Sequence, residues 1–195
     1  MKFSLFLSFC IGFIIMSFEF VAARVLSAEF GGSLSVWGSL ISTIMAGLFV
    51  GSITGGYITR KQPTLPLFPF LFLCTLSLGI ANYAQKSVVS FLALLLSFNA
   101  AILVSSFSLY FVPSLFLGLC SPILVHNLTT KQSESKEHPG AGFISGLVSG
   151  AGTAGSIGGT LVVSFYWIPA MGLQNIGWCL VLGLLTLTSL SYLRK

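Results

Sequence analysis

The sequence predicts an all-α fold, a polytopic membrane bundle of about six helices, and three observations predict it. Of 195 residues, 55% are hydrophobic and only 7% charged, with a mean hydropathy of +0.98; an ordinary soluble domain carries roughly 25% charged residues. Apolar runs of the length a helix needs to cross about 30 Å of hydrocarbon recur along the whole chain, leaving room for about six spans once loops are set aside. The 21 glycines and 18 phenylalanines fit the same class, because small residues let membrane helices approach closely while Phe fills lipid-facing and interhelical surface. A single transmembrane domain over 1–195 is expected, with no second, water-soluble domain.

The first span is expected at about 3–26. Met1-Lys2, an apolar run and Val21-Ala22-Ala23 together resemble a signal peptide with its small-residue cleavage site. Glu19 interrupts the run where a signal core stays apolar, and further spans follow, so an uncleaved helix is the simpler reading. Glu29-Phe30-Gly31-Gly32-Ser33 is a natural turn. The second span, 34–58, stops at Arg60-Lys61, and Pro63, Pro66 and Pro69 mark the entry to the third, 65–83, which ends before Gln85-Lys86-Ser87. From Val88 to His126 the pattern allows two short helices, or an amphipathic stretch over 88–106 leading into a single fourth span at 100–125. The polar stretch 127–139, with Lys131, Glu134, Lys136, Glu137 and His138, reads as a cytoplasmic loop. Spans five and six follow at 141–167 and 176–193, on either side of Ile168-Pro169-Ala170-Met171-Gly172.

The nine Lys and Arg residues are scattered over chain ends and loops, which argues against nucleic acid and reports topology. Six spans with the amino terminus inside place Lys2, Arg60, Lys61, Lys131, Lys136, Arg194 and Lys195 in the cytoplasm and leave only Arg24 and Lys86 outside. Seven spans would largely erase that asymmetry. Both termini are therefore expected in the cytoplasm, and the Asn127-Leu128-Thr129 sequon, on the same side, is read as chance.

Enzyme constellations are missing. Cys10, Cys74, Cys120 and Cys179 fall inside hydrophobic runs, without CxxC or His at ligand spacing, and read as reduced packing residues. The chain has four acids in all, two of them in the polar loop, so no acid and base pair of carboxylates is expected. His126 and His138 are expected at or in a solvated loop. The glycine-rich stretches lie inside hydrophobic helices, so neither a phosphate loop nor a dinucleotide fingerprint applies. No catalytic, cofactor-binding or metal-ligating residue is expected.

Two groups of residues stand out instead. Glu19 and Arg24 lie in the first span, and an ionised side chain at the bilayer centre costs roughly 2.5 to 3.5 kcal/mol. Five residues turn an ideal helix by about 140°, so the two do not share a face, although Arg24 is long enough to bend partway back. Glu19, with Arg24, reads as a solute or ion contact, Glu19 being a cation or proton site in a central cavity; alternatively, Glu19 is an anchor bonded to Ser or Trp groups of the second span or an interfacial residue. Trp37 and Trp167 read as interfacial anchors.

The second group is glycine ridges. Gly47, Gly51 and Gly55 repeat every four residues in the second span. In the fifth, Gly142, Gly146, Gly150, Ala154 and Gly158 share a face, with Ala151, Gly155 and Gly159 beside them. Such ridges serve close packing within one bundle, or gliding and dimer surfaces of a transporter. Gly51-Ser52-Ile53-Thr54-Gly55-Gly56 is echoed by Gly155-Ser156-Ile157-Gly158-Gly159, as two inverted three-helix units would require.

The string Glu19-Phe20-Val21-Ala22-Ala23-Arg24-Val25-Leu26, then Phe30-Gly31-Gly32-Ser33-Leu34 and Val36-Trp37-Gly38-Ser39, resembles the amino-terminal membrane domain of bacterial fused major facilitator superfamily (MFS)/spermidine synthase proteins. The resemblance continues through Gly51 to Gly56, Pro113-Ser114-Leu115-Phe116-Leu117-Gly118-Leu119-Cys120-Ser121-Pro122, the fifth span and Ile168-Pro169-Ala170-Met171-Gly172. Gly150, Ala154-Gly155 and Gly158-Gly159 also resemble the antiporter motif of the superfamily's fifth helix, with Ala-Gly standing where that motif has Gly-Pro.

The resemblance implies half of an MFS-like fold, a single fourth span and a bacterial inner membrane location. It carries over no synthase residue, because family members hold that activity in a soluble domain that would follow Arg194-Lys195. The expectation is a non-catalytic module that moves a polyamine-like or other small solute as a homo-oligomer or with a partner membrane subunit. The alternative is an anchor or regulatory subunit for a separate soluble aminopropyltransferase-like enzyme.

Overall fold

The computed structural model describes residues 1–60, 65–133 and 140–193. Among them are six helices long and apolar enough to cross a membrane, and no strand. We label them α1 (Lys2–Phe30), α2 (Leu34–Thr59), α3 (Phe68–Leu95), α4 (Phe98–Ser133), α5 (Ala141–Val162) and α6 (Leu173–Leu193).

Local chemistry sets the helix ends. α1 stops at Gly31, whose φ of 77° suits glycine and whose N–H bonds back to the Ser27 carbonyl. Ser33 then caps α2, its hydroxyl oxygen accepting from the Val36 N–H at 3.4 Å. α5 continues through a π-helical turn, Val163–Trp167, and a last turn, Ile168–Ala170. Pro169 has no N–H to offer the Phe165 carbonyl, and a widened turn is one way a helix absorbs that loss.

Two boundaries differ from the sequence reading. α3 runs on past Tyr83 and Lys86 to Leu95, and only Leu96 and Ser97 separate it from α4, so 88–106 is no separate span. The polar residues that read as the end of a span are satisfied inside the bundle. Gln85 Nε2 donates to Asn82 Oδ1 at 3.1 Å, and Asn82 Nδ2 donates to the Gln174 carbonyl at 3.3 Å, with both side chains buried. α4 likewise continues through Asn127 to Ser133, where Thr129 and Thr130 turn their hydroxyls onto the Val125 and His126 carbonyls. The rest of the expected loop, 134–139 with Glu134, Lys136, Glu137 and His138, lies outside the described residues.

α1 touches every other helix. It pairs most closely with α5, α2 pairs with α4, and α3 packs on α4 and α6. Ring contacts Phe18–Tyr110 (5.4 Å) and Phe30–Phe98 (6.0 Å) show α1 and α4 running antiparallel. The α1–α5 and α2–α4 pairs run parallel, as contacts advancing together along both helices require. Lys2, Arg60, the start of α3, the end of α4, the start of α5 and the end of α6 therefore share one end of the bundle. Leu26, Leu40, Ile44, Leu71, Ile123 and Leu184 are among the fully buried side chains. Lipid tails are as apolar as leucine, so shape and close contact hold such a core together.

Glycine provides the closest of those contacts. A Cβ on Gly51 would collide with the Leu115 carbonyl. One on Gly55 would come within 2.7 Å of Pro122 and 3.0 Å of the Leu119 carbonyl. On the other pair, Gly155 lies against the Phe9 carbonyl and Gly159 against the Phe13 carbonyl. Gly118 faces the Leu48 carbonyl as Gly12 faces that of Gly152. Ser52 Oγ donates to the Gly118 carbonyl at 3.4 Å, and Ser156 Oγ to the Gly12 carbonyl at 3.2 Å. Pro122, lacking an N–H, leaves the Gly118 carbonyl without its helical donor, and Ser52 takes the place. In one constant register, α5 is to α1 what α2 is to α4.

Candidate functional site

Glu19 lies in the interior of α1 with 9% of its surface exposed, and its Oε2 is buried without a hydrogen-bond partner. Arg24 is exposed, so the two do not pair, as their angular separation on the helix leads one to expect. The serines and tryptophan of α2 do not anchor the carboxylate either. Ser39 Oγ donates to Ser106 Oγ at 3.2 Å, and Trp37 packs its ring on Phe20 at 6.4 Å.

Other buried polar groups also lack partners. The Phe18–Tyr110 contact fixes the level of α1 against α4, and the Tyr110 hydroxyl there and Ser105 Oγ, five residues earlier in α4, are buried without partners. Tyr110 is 1% exposed and Ser105 fully buried. A buried polar atom without a partner costs on the order of 1–3 kcal/mol, and an ionisable one more. All three lie on the neighbouring helices α1 and α4, and each has hydrogen-bonding capacity left unmet among the described residues. Sequence reasoning singled out Glu19 and missed Tyr110 and Ser105. A tyrosine and a serine in an apolar run carry no signal until a partner is seen to be missing.

The glycine ridges divide. Gly47, Gly51 and Gly55 all face α4, while Gly155 and Gly159 face α1 and a Cβ on Gly158 would lie 3.7 Å from the Phe13 ring. Gly146 and Gly150, like Gly142, meet nothing within 4 Å: the face they share is bare. Trp37 and Trp167 both lie toward the end opposite Lys2, with Trp167 packed edge-on against Phe13 at 6.0 Å. All four cysteines are free. Cys74 and Cys120 are buried, whereas Cys179 is exposed. His126 lies within α4 and not in a loop, because α4 runs beyond the expected span end; His138 is outside the described residues. No family model, curated protein or solved structure matches this chain.

Proposed function

We propose that this chain is a non-catalytic, multi-pass membrane module of the bacterial inner membrane, one inverted-repeat half of an MFS-like transporter. Both termini are cytoplasmic, and the module moves a small cationic, polyamine-like solute as a homo-oligomer or with a second six-helix chain. The observation that carries the reading is the shared register of the two close-packed pairs. Gly51 on Leu115 and Ser52 on Gly118 repeat as Gly155 on Phe9 and Ser156 on Gly12. α1 and α4, the helices so matched, run antiparallel, which is the relation of three-helix units inverted in a membrane. Glu19 contacts the cation, and Tyr110 and Ser105 supply the neighbouring oxygens. Glu19, Phe20 and Arg24, in the string resembling the fused MFS/spermidine synthase proteins, support the polyamine class.

The test is reconstitution. The purified chain in proteoliposomes is expected to take up labelled spermidine, and its complex in mild detergent to weigh a multiple of the chain mass. Uptake equal to that of empty vesicles, together with a soluble enzyme retained at stoichiometric amount during purification, would replace this reading by that of an anchor subunit.

A further inference from the structure

A groove of about 510 Å³ opens between α2, α4 and α5, toward the end of the bundle that holds Lys2 and Arg60. Its polar lining is Ser52, Ser121, His126, Thr129, Ser145 and Ser149. Several hydroxyls elsewhere on α4 and α5 turn back onto the preceding turn: Ser106 onto the Ile102 carbonyl, Ser114 onto Tyr110, Thr153 onto Ser149 and Thr160 onto Ser156. That is how such side chains satisfy themselves in apolar surroundings. Ser121, Ser145 and Ser149 depart from the habit. All three are exposed at the groove, and none makes a side-chain hydrogen bond among the described residues.

The repeated helix pairs supply an internal comparison. The register that matches Gly155 to Gly51 and Phe9 to Leu115 matches Ser145 to Ile41, Ser149 to Met45, Ser121 to Ile15, His126 to Phe20 and Thr129 to Ala23. The same register matches Val125 to Glu19 and Ser52 to Ser156, so the corresponding surface near the other end of the bundle keeps one carboxylate and one serine but carries Ile, Met, Phe and Ala at the five places just named. Helix packing of this kind works with apolar residues at the places of Ser121, Ser145 and Ser149, so it does not call for their hydroxyls. Facing hydrocarbon, these three would lose hydration and gain nothing.

The chemistry of the lining indicates what they face. The three serine hydroxyls can donate hydrogen bonds, and no carboxylate of a described residue lines the groove. Lys2 and Arg60 lie at the same end. Donors without acids, at a basic end, suit an oxyanion. The volume falls in the range of small-molecule sites, roughly 300–1,000 Å³, and leaves room for an ester substituent. We propose that this groove binds a phosphate ester, offered by a lipid headgroup or by a soluble phosphorylated solute.

The whole chain, purified in mild detergent, decides the matter with two matched pairs of probes. Native mass spectrometry compares phosphatidylglycerol with the diacylglycerol of the same acyl chains, and thermal shift compares glycerol 3-phosphate with glycerol. Binding of the phosphate-bearing member of either pair, and not of its phosphate-free partner, is the expected result. A response in the first pair makes the source a lipid, and in the second a soluble ester.

Two variants localise the binding. Ser121→Ala, Ser145→Ala and Ser149→Ala combined should weaken it at least about tenfold, the loss expected from even one hydrogen bond to a charged group. Alanine is the better helix former, and Ser145→Ile with Ser149→Met, the residues of the matching α2 positions, gives a second variant should the first fail to fold. The proposal is overturned if no phosphate-bearing probe binds, if the phosphate-free probes bind equally, or if a folded variant binds as the wild type does.

Discussion

Asn127 on α4 holds Leu65 by both atoms of its amide: the Leu65 N–H donates to Oδ1 at 3.1 Å, and Nδ2 donates to the Leu65 carbonyl at 2.7 Å. This two-point contact fastens the segment entering α3 onto the far part of α4. It satisfies a backbone that no helix satisfies there, beside Pro66, which has no N–H of its own. The asparagine of the apparent sequon thus has a structural duty, and its amide is already engaged.

Replacing Asn127 by Ala leaves the N–H and carbonyl of Leu65, a residue 7% exposed, without these partners. The expected loss is about 1–3 kcal/mol, read as a lower midpoint of thermal unfolding in detergent. Asn127→Asp keeps the acceptor and loses the donor, so its midpoint should fall between the two. An alanine variant as stable as the wild type would show that the contact contributes nothing.

Glycines of like spacing should separate into two behaviours. Gly51→Ala and Gly155→Ala each press a methyl onto a carbonyl of the facing helix, and overpacking of this kind costs typically 1–3 kcal/mol. Gly146→Ala and Gly150→Ala meet open space and should be neutral or gain about 0.5–1 kcal/mol from the better helix former. Thermal unfolding of the four variants in one detergent checks the contrast. Equal losses at all four would mean that the bare face of α5 is covered in the purified complex.

Much of this architecture was legible in the sequence, because hydrophobic length and glycine spacing report directly on a membrane bundle. The G-S-I string that α2 and α5 share marks the place where both meet a neighbouring backbone, which can be read in one dimension since the requirement is simply the absence of a side chain. The course of α3 and α4 was less legible. Gln85 and Asn127 look like the ends of spans, but Gln85 is bonded to Asn82 one turn back, and Gln174 and Leu65, distant in sequence, supply partners for Asn82 and Asn127. The site shows the same limit. Glu19 announces itself by charge, whereas Tyr110, Ser105 and the groove serines matter through partners they lack, which no periodicity records.

Reporter fusions test the topology on which the charge argument rests. With α5 and α6 the last two of six helices, a reporter after His138 and one after Lys195 should be active on the same side, the cytoplasmic one, where positively charged loops are retained. Opposite sides would demand an odd number of crossings between them and overturn the six-span arrangement.

Glu19→Gln is the most direct probe of the transport reading, because it separates folding from function. Glutamine keeps the shape of the side chain and removes the buried carboxylate, whose Oε2 has no partner to lose. Stability should therefore hold or rise, as expected wherever an uncompensated charge is removed from a membrane interior. Spermidine uptake by proteoliposomes should fall to the level of empty vesicles, while Arg24→Gln, altering an exposed residue that does not pair with Glu19, should retain most of it. A Glu19→Gln protein that folds and still transports at the wild-type rate would leave the carboxylate no part in solute binding, and the search would move to Tyr110 and Ser105.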